Sequence, residues 1–478
     1  MSYDFDLVSI GSGPAGQRAA VQAAKLGKRA AVIEKRRCVG GVCLDTGTIP
    51  SKTLREAVIG YSSLAGRGER GGGGRGESRP SALQLLAGVE RVVSREVEVI
   101  EAQLRRNDVS VLAGEAVFDD PHTLLVRGEQ GTRRVTAASI VIAVGTEPAA
   151  PPGVQPDGRV ILTTDDVVRL PQLPRTLAVV GAGVIGIEYA SIFAAVGVPV
   201  TLVERRERIL DFLDQEIVDE LIHQMRSRNV TFRFGETVAS LALDPDRPAR
   251  AVLNLESGKR IVADMVLFSA GRVAATAPLN LAAAGIAVDD RGRLTVDACF
   301  RTAVPHIFAA GDVIGYPSLA ATSSEQGRLA ACAALGVEAG PLAAHFPVGI
   351  YAIPEISMVG APEHELTAQR VPYETGVARY REIARGQILG DDSGMFKMLF
   401  HREDRRLLGI HCIGTGATEL VHVGQAVLGL GGGLDYFLKT VFNYPTLAEC
   451  YKVAALDGVN RARPAFAAPR GHARYKAA

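Results

Sequence analysis

The segment that decides the fold is residues 5–35, FDLVSIGSGPAGQRAAVQAAKLGKRAAVIEK. It starts with an apolar stretch, turns at Gly11-x-Gly13-x-x-Gly16, continues as an alanine-rich stretch and ends with a second apolar run that closes on Glu34. Short apolar runs bounded by glycine are typical of buried strands, and the longer alanine-rich stretch between them is typical of a helix. The segment therefore predicts a βαβ unit with a parallel sheet.

The same pattern occurs again at residues 176–205, TLAVVGAGVIGIEYASIFAAVGVPVTLVER. Its turn glycines are Gly181, Gly183 and Gly186, and its second strand ends at Glu204. In each copy the acid lies 18 residues after the third glycine, near the separation at which a carboxylate reaches the ribose of a dinucleotide. The repetition predicts two dinucleotide-binding sites and disfavours the alternative, a pair of glycine-rich turns without ligands.

Each glycine of such a turn has its own physical task. The first allows the tight turn, the second lets the backbone approach the pyrophosphate, and the third lets the helix pack on the strand. The pyrophosphate then lies on N–H groups at the positive end of the helix. The candidate binding residues of the two turns are Gly11, Gly13, Pro14, Ala15, Gly16, Glu34, Gly181, Gly183, Ile185, Gly186 and Glu204.

Composition and charge exclude other classes of protein. The chain has 478 residues, with 53 basic against 52 acidic residues and six cysteines. This balance favours neither nucleic acid nor an anionic membrane as a partner, and so few cysteines exclude a disulfide scaffold. The start MSYDFD does not predict a signal peptide, and the apolar run 177–203 contains a glycine turn that would leave backbone groups unpaired in lipid. We therefore expect a cytoplasmic protein.

Three other stretches have a distinct character. Residues 66–80, GRGERGGGGRGESRP, predict a flexible Gly/Arg loop. Residues 81–106 have apolar positions at helical spacing, whereas residues 109–145 predict short strands. From about residue 346 the runs MFKMLFH and LLGIHCIG, followed by helical stretches, predict a third domain of α+β type.

Further motifs give the chain a specific resemblance. They are Gly40-Gly41-Val42-Cys43, Thr48-Ile49-Pro50-Ser51-Lys52, Ala270-Gly271-Arg272, Ala310-Gly311-Asp312 and Phe442-Asn443-Tyr444-Pro445-Thr446-Leu447-Ala448-Glu449. With the two glycine turns, and in this order, they make nearly the whole chain resemble the flavoprotein family typified by dihydrolipoamide dehydrogenase and glutathione reductase.

The resemblance implies FAD as the prosthetic group, NAD and NADP as substrates, and three domains in a chain that forms a homodimer or a larger homo-oligomer. The FAD-binding domain would comprise residues 1–150 and 275–345, the NAD(P)-binding domain 151–274, and the dimerisation domain 346–465, followed by a tail, 466–478. Lys52 would lie beside flavin N5 and pair with Glu188, and Asp312 would hold the ribityl hydroxyls. The other positions that it assigns to cofactor binding are Lys35, Arg36, Arg37, Cys38, Val39, Gly40, Gly41, Val42, Cys43, Gly145, Gly271 and Gly311.

Two departures from the family pattern change the expected chemistry. Where the disulfide reductases carry a second redox cysteine after the one at Cys43, this chain has Thr48, which cannot form a disulfide. Where they carry an acid–base histidine before the proline of the C-terminal motif, it has Tyr444, although the orienting Glu449 is kept. The resemblance places Tyr444 and Glu449 at the partner subunit's site. Loss of both thiol-handling groups favours chemistry without thiols.

With threonine at position 48 and tyrosine at position 444, the chain resembles those family members that pass hydride between NADPH and NAD⁺ through FAD. We therefore expect this reaction. The alternatives are an NAD(P)H oxidase or diaphorase, a dihydrolipoamide dehydrogenase-like enzyme and a non-catalytic nucleotide sensor. Glu204 favours NAD, whereas Arg205, Arg206 and Arg208 beside it are natural partners of the NADP phosphate, so the preference stays open.

The cysteines predict no metal site. Cys38 is interpreted as a free loop thiol, with a regulatory disulfide to Cys43 as the alternative. Cys43 is expected near a helix N-terminus that would lower its pKa. The other four have no ligand spacing and are interpreted as small buried residues; they are Cys299, Cys332, Cys412 and Cys450.

Overall fold

The computed structural model describes residues 3–70, 79–151, 153–247 and 249–462, with residues 63–70 described by their backbone alone. Its strands are β1 (Phe5–Ile10), β2 (Ala30–Glu34), β3 (Ser110–Ala113), β4 (Glu115–Asp120), β5 (Thr123–Gly128), β6 (Gly131–Ile142), β7 (Thr146–Pro148), β8 (Ile161–Thr163), β9 (Leu177–Val180), β10 (Val200–Glu204), β11 (Val230–Phe234), β12 (Val238–Leu243), β13 (Ala251–Leu255), β14 (Arg260–Ala263), β15 (Met265–Phe268), β16 (Arg272–Ala274), β17 (Ile307–Ala309), β18 (Val348–Ile350), β19 (Ile356–Gly360), β20 (Tyr373–Arg379), β21 (Met395–His401) and β22 (Leu407–Ile413). Its α-helices are α1 (Pro14–Lys25), α2 (Gly41–Asp45), α3 (Thr48–Arg70), α4 (Ala82–Arg106), α5 (Val184–Ala195), α6 (Gln215–Ser227), α7 (Ala320–Ala334), α8 (Glu363–Ala368), α9 (Ala384–Leu389), α10 (Ala417–Gly429), α11 (Leu434–Lys439) and α12 (Glu449–Ala462).

The chain divides into two compact units. The first comprises residues 1–209 and 226–344, and the second comprises residues 210–225 and 345–478. The second unit therefore includes most of α6, although this helix lies in sequence between two strands of the first unit.

The first unit contains both predicted βαβ units. One sheet has the order β3-β2-β1-β6-β5-β4, with β17 also paired to β6; β3, β2, β1, β6 and β17 run parallel, and β4 and β5 are antiparallel. The other sheet has the order β11-β10-β9-β15-β8 and is parallel throughout. The predicted α/β fold with two Rossmann-like units is confirmed, and ligands are expected at the carboxyl ends of these strands.

Burial explains why the strands read as continuous apolar runs. Val8, Ile33 and Ile140 lie in one core between the sheet and its covering elements, and both faces of a parallel sheet must be covered. Helices α1 and α7 pack closely because Gly327 has no side chain: a Cβ there would lie 2.0 Å from the carbonyl oxygen of Ala15.

The second unit has an antiparallel sheet of order β18-β19-β22-β21-β20. Its core contains Phe396, Phe437 and Tyr451; the rings of Phe437 and Tyr451 stack with centroids 5.0 Å apart. This confirms the predicted strands and helices of the C-terminal α+β region.

Local sequence predictions were mostly correct. The helix predicted at 81–106 is α4, and the apolar run 177–203 is β9, α5 and β10. None of the helices in the described ranges has the length and apolar character that a membrane crossing requires. The loop predicted at 66–80 is wrong in its first part, because α3 continues to Arg70; Gly66 and Gly68 each cost a helix only about 1 kcal/mol. Residues 71–78 of that loop, like the tail 466–478, lie outside the described residues.

Candidate functional site

The first glycine turn leaves room for a ligand at one position only. Gly11 has φ +98°, and a Cβ there would lie 2.5 Å from the carbonyl oxygen of Ala143. At Gly16 a Cβ would lie 1.8 Å from the carbonyl oxygen of Gly11, whereas at Gly13 it would meet no described atom within 4 Å. The first and third glycines are therefore required by the fold, and the second leaves the backbone open to a closely approaching group, as a pyrophosphate requires.

The second turn repeats this geometry. Gly181 has φ +101°, and a Cβ there would lie 2.8 Å from the carbonyl oxygen of Ser269. A Cβ at Gly186 would lie 2.0 Å from the carbonyl oxygen of Gly181, and one at Gly183 would meet no described atom within 4 Å. Both turns thus fit a dinucleotide by the same test.

The two acids at the strand ends also occupy equivalent places. The Glu34 carboxylate accepts the N–H groups of Ser12 at 3.0 Å and Arg36 at 2.8 Å. The Glu204 carboxylate accepts those of Ala182 at 2.8 Å and Arg206 at 3.1 Å. Backbone donors therefore hold each carboxylate beside its glycine turn.

The second acid differs from the first in one respect. The Arg206 guanidinium folds back onto Glu204, with Nε 3.0 Å from Oε1 and Nη2 3.3 Å from Oε2. Burial alone would raise the pKa of Glu204, but the bonds from Arg206 and Ala182 outweigh it and lower that pKa. The acid and one of the three candidate phosphate-binding arginines are therefore already paired.

The predicted FAD loop, residues 34–43, folds over the first turn. The Gly40 N–H donates to Ser12 Oγ at 2.9 Å, and a Cβ at Gly41 would lie 2.9 Å from the Gly13 Cα. The side chain of Arg36 pairs with Asp45, and that of Lys35 lies 3.4 Å from Glu115. The loop thus brings Gly40 and Gly41 to the open position of the turn.

Helix α3 and helix α5, which opens at the second glycine turn, are joined by an ion pair. Lys52 is in the first two turns of α3 and Glu188 is in the second turn of α5. Lys52 Nζ lies 2.8 Å from Glu188 Oε2, and their side chains are 25% and 7% exposed. The predicted partners are therefore in contact, 136 residues apart in sequence.

Cys43 and Thr48 are neighbours, as the family pattern requires of those positions. Cys43 lies in α2, and the Thr48 side chain hydrogen-bonds to it at the start of α3. Burial raises the pKa of the Cys43 thiol in spite of that bond and of the charge of Lys52, so the expected lowering by a helix N-terminus is wrong. Cys38 and Cys43 are both free thiols, and burial raises the pKa of Cys38 too.

Asp312 lies just after the carboxyl end of β17, in the sheet that contains β1. It comes after β17 and directly after Gly311. The Gly311 N–H donates to Oε1 of the buried Gln326 at 2.9 Å. Burial raises the pKa of the Asp312 carboxyl, whereas the charge of Arg272 and a bond from Ser323 act in the opposite direction. Gln326 is a supporting residue that the sequence analysis did not single out.

Gly145 and Gly271 lie at the connection between the two βαβ units. Strands β7 and β16, which follow them, pair antiparallel. The Ala275 N–H donates to Gly145 O, and the Ala149 N–H donates to Gly271 O, both at 3.1 Å. These candidates therefore shape the crossing strands; the remaining turn candidates, Pro14, Ala15 and Ile185, lie in the first turns of α1 and α5.

Tyr444 and Glu449 belong to the second unit. The Tyr444 side chain is 69% exposed. Glu449 is the first residue of α12, and its Oε2 is buried without a hydrogen-bond partner among the described residues.

One charged cluster was missed because its members are distant in sequence. Oxygens of Asp214, Glu216 and Glu363 lie within 4.8 Å of one another. Lys397 Nζ is among them, 2.9 Å from Asp214 and 3.0 Å from Glu216, and it also pairs with Glu363. Burial lowers the pKa of the neighbouring His411 to about 4. One buried ammonium group thus pairs with all three carboxylates.

Among the other cysteines, three are buried as predicted, namely Cys332, Cys412 and Cys450. Cys299 is exposed, so that prediction is wrong. Its N–H donates to Asp297 at 2.8 Å within an exposed turn, which holds the residue at the surface.

Two open glycine turns, each with a buried acid, and a Lys–Glu pair between α3 and α5 define a protein of the class that binds two dinucleotides. The chain belongs to the pyridine nucleotide-disulphide oxidoreductase family, whose sequence pattern matches residues 5–327; the dimerisation domain of that family matches residues 346–455.

Named relatives align with almost the whole chain. Proteins named soluble pyridine nucleotide transhydrogenase from Mycobacterium bovis, Hahella chejuensis and Colwellia psychrerythraea are 51%, 46% and 42% identical, each over 96% of this chain and 98–99% of their own. Among solved structures, LpdA from Mycobacterium tuberculosis superposes with TM-score 0.86 at 28% identity, over 94% of this chain and 99% of its own. The flavoprotein disulfide reductase RclA from Escherichia coli gives 0.85 at 25% identity, over 94% and 99%.

Proposed function

We infer that this protein is an FAD-dependent pyridine nucleotide transhydrogenase, which transfers hydride between NADPH and NAD⁺. The inference rests on one ion pair that is kept and one thiol that is missing. The Lys52–Glu188 pair is formed at 2.8 Å, whereas Thr48 stands beside Cys43 in place of a second thiol. The near-full-length relatives of 42–51% identity carry the transhydrogenase name.

FAD and a nicotinamide nucleotide fit the two turns. The open space at Gly13 and at Gly183 accepts a pyrophosphate where a side chain would fill it. We assign the first turn, with residues 34–43, to FAD and the second to NAD(H) or NADP(H). FAD bound there would supply the hydride-transfer chemistry between the two nicotinamide nucleotides, whereas the protein supplies binding, orientation and charge.

The residues of the chain position the reactants and balance charge. Lys52 supplies a positive charge beside the redox site, and Glu188 fixes the direction of that ammonium group from the nicotinamide side. Asp312 holds the ribityl hydroxyls. Because no thiol leaves or enters in this reaction, no acid–base group is needed, which is consistent with tyrosine at position 444.

Arg206 supports the acceptance of both nucleotides by one site. While paired with Glu204, it neutralises the carboxylate that would otherwise repel the 2′-phosphate of NADP(H) by like charge. Arg205 and Arg208 are exposed beside it and are available to the phosphate. We assign the acid to the ribose of NAD(H) and the arginines to NADP(H).

The remaining assignments follow from the family. Its dimerisation domain indicates a homodimer, and we place Tyr444 and Glu449 at the site of the partner subunit, which accords with the exposed Tyr444 ring. We keep the FAD domain at residues 1–150 and 275–345, the NAD(P) domain at 151–274 and the dimerisation domain at 346–465. The cytoplasm, where both nucleotides are present, is the proposed location.

The test uses the purified yellow protein under argon, with NADPH and thio-NAD⁺. We expect rapid formation of reduced thio-NAD and negligible reduction of lipoamide. Flavin reduction without transfer to thio-NAD⁺, together with fast NADPH consumption when air is admitted, would instead identify an oxidase. Turnover of lipoamide at a comparable rate would identify a disulfide reductase and overturn the inference.

A further inference from the structure

Arg272 connects three separate segments of the first unit. It begins β16, and its Nε donates to Thr146 Oγ1 at 2.9 Å while Nη2 donates to the Thr146 carbonyl oxygen at 2.8 Å. Its Nη1 lies 3.2 Å from Thr164 Oγ1 and 3.1 Å from Asp165 Oδ1. The side chain is 19% exposed, so solvent screens these bonds little.

The three segments form the connection between the two βαβ units. Strand β7, with Thr146, takes the chain away from the first sheet, and β16 brings it back. Thr164 and Asp165 follow β8, the edge strand of the second sheet. A single planar guanidinium therefore fixes both crossing strands to the second sheet, and its rigid fork sets their relative geometry.

The same guanidinium also acts on two residues near the predicted reaction centre. Strand β16 contacts the turn that begins at Asp312, and the charge of Arg272 opposes the rise that burial causes in the pKa of Asp312. The charge of Arg272 also acts on buried Tyr189, the residue after Glu188. Arg272 is thus coupled to Asp312 by a strand contact and by charge, and to the neighbour of Glu188 by charge.

We propose that Arg272 is a positioning residue for hydride transfer. It holds the nicotinamide-binding βαβ unit at the distance and angle from the flavin-binding βαβ unit that the reaction requires. The proposal rests on the proposed function only in that a nicotinamide nucleotide reduces the bound flavin. Hydride transfer depends steeply on the placement of the two rings, and a displacement of about 1 Å can cost about 100-fold in rate.

The test compares Arg272→Met and Arg272→Lys with wild type in anaerobic stopped-flow reduction by saturating NADPH, with (4-²H)NADPH in parallel. We expect flavin reduction to slow about 10- to 100-fold, the isotope effect to change, and the Kd of NADPH to stay within about twofold. Lysine keeps the positive charge but lacks the planar set of N–H donors of the guanidinium, so it should restore little of the rate.

Arg250→Met is the matched control. Arg250 Nε lies 2.9 Å from Asp264 Oδ1, in the same unit but away from the crossing strands, and its side chain is 30% exposed. We expect near wild-type reduction from this variant. In addition, hydrogen exchange of the purified holoenzyme should accelerate at the amides of Ala149 and Ala275, which close the crossing strands, in Arg272→Met alone.

Three results would overturn the proposal. These are an unchanged reduction rate in Arg272→Met with FAD bound, full rescue by lysine, and an equal loss in Arg250→Met. If Arg272→Met does not fold, the double variant Thr146→Val, Thr164→Val removes two acceptors of the guanidinium, and a wild-type rate there refutes the proposal. Failure of thio-NAD⁺ to accept hydride would refute the proposed function and leave this test intact.

Discussion

The ion pair between Lys52 and Glu188 gives the most quantitative prediction. In Glu188→Gln the amide keeps the size of the side chain but removes the charge that orients Lys52. The pair is 2.8 Å long, and its members are 7% and 25% exposed, so it is a weakly screened, charge-assisted hydrogen bond worth about 1.5–3 kcal/mol. If that energy serves to place the ammonium group in the transition state, its loss slows hydride transfer about 10- to 150-fold.

The assay is anaerobic stopped-flow reduction of the enzyme-bound flavin by saturating NADPH. FAD content, measured from the ratio of visible to ultraviolet absorbance, should equal that of wild type, because the pair contributes nothing to the glycine turn. Asp435→Asn is the control, since its pair with Arg405 is 3.4 Å long with both side chains more than half exposed, and such pairs contribute little. A wild-type rate in Glu188→Gln would refute the reasoning.

Three further variants test other parts of the site. Thr48→Cys should allow a disulfide to Cys43, detected by thiol titration, without lipoamide turnover while Tyr444 remains; robust turnover would contradict the expectation that tyrosine cannot replace the acid–base histidine of the disulfide reductases. Arg206→Gln should raise the KM for NADPH at least about tenfold and leave that for NADH within about twofold, and an equal change in both would count against a phosphate role. Lys397→Met removes the cation paired with the buried Asp214 carboxylate and should lower the free energy of unfolding by about 3–5 kcal/mol in urea denaturation; unchanged stability would show that the cluster is solvated.

The local parts of the fold and site were predictable from sequence. The tasks of Gly11 and Gly16 in the turn depend only on their neighbours within one βαβ unit, and the structure gives both turns the same close approaches. The position of Glu34 beside its turn follows for the same reason. The contact of Lys52 with Glu188 spans 136 residues and was expected only through the family resemblance.

What depends on burial or on long-range packing was not predictable. The motif placed Cys43 near a helix, but the raised pKa of its thiol comes from desolvation by the folded chain. The cluster around Lys397 joins three segments that share no motif. In the sequence, Arg272 is only the last residue of the motif Ala270-Gly271-Arg272. Its hydrogen bonds to Thr146 and Asp165 depend on the fold.

The central claim is that hydride passes between nucleotides without any thiol. The most direct measurement is the turnover of NADPH with thio-NAD⁺ under argon by Cys43→Ser, because Cys43 is the thiol beside Thr48 and Lys52. We predict a kcat within about twofold of wild type, since the half-buried thiol has no chemical part to play. A loss of transfer in Cys43→Ser with FAD still bound would contradict the account.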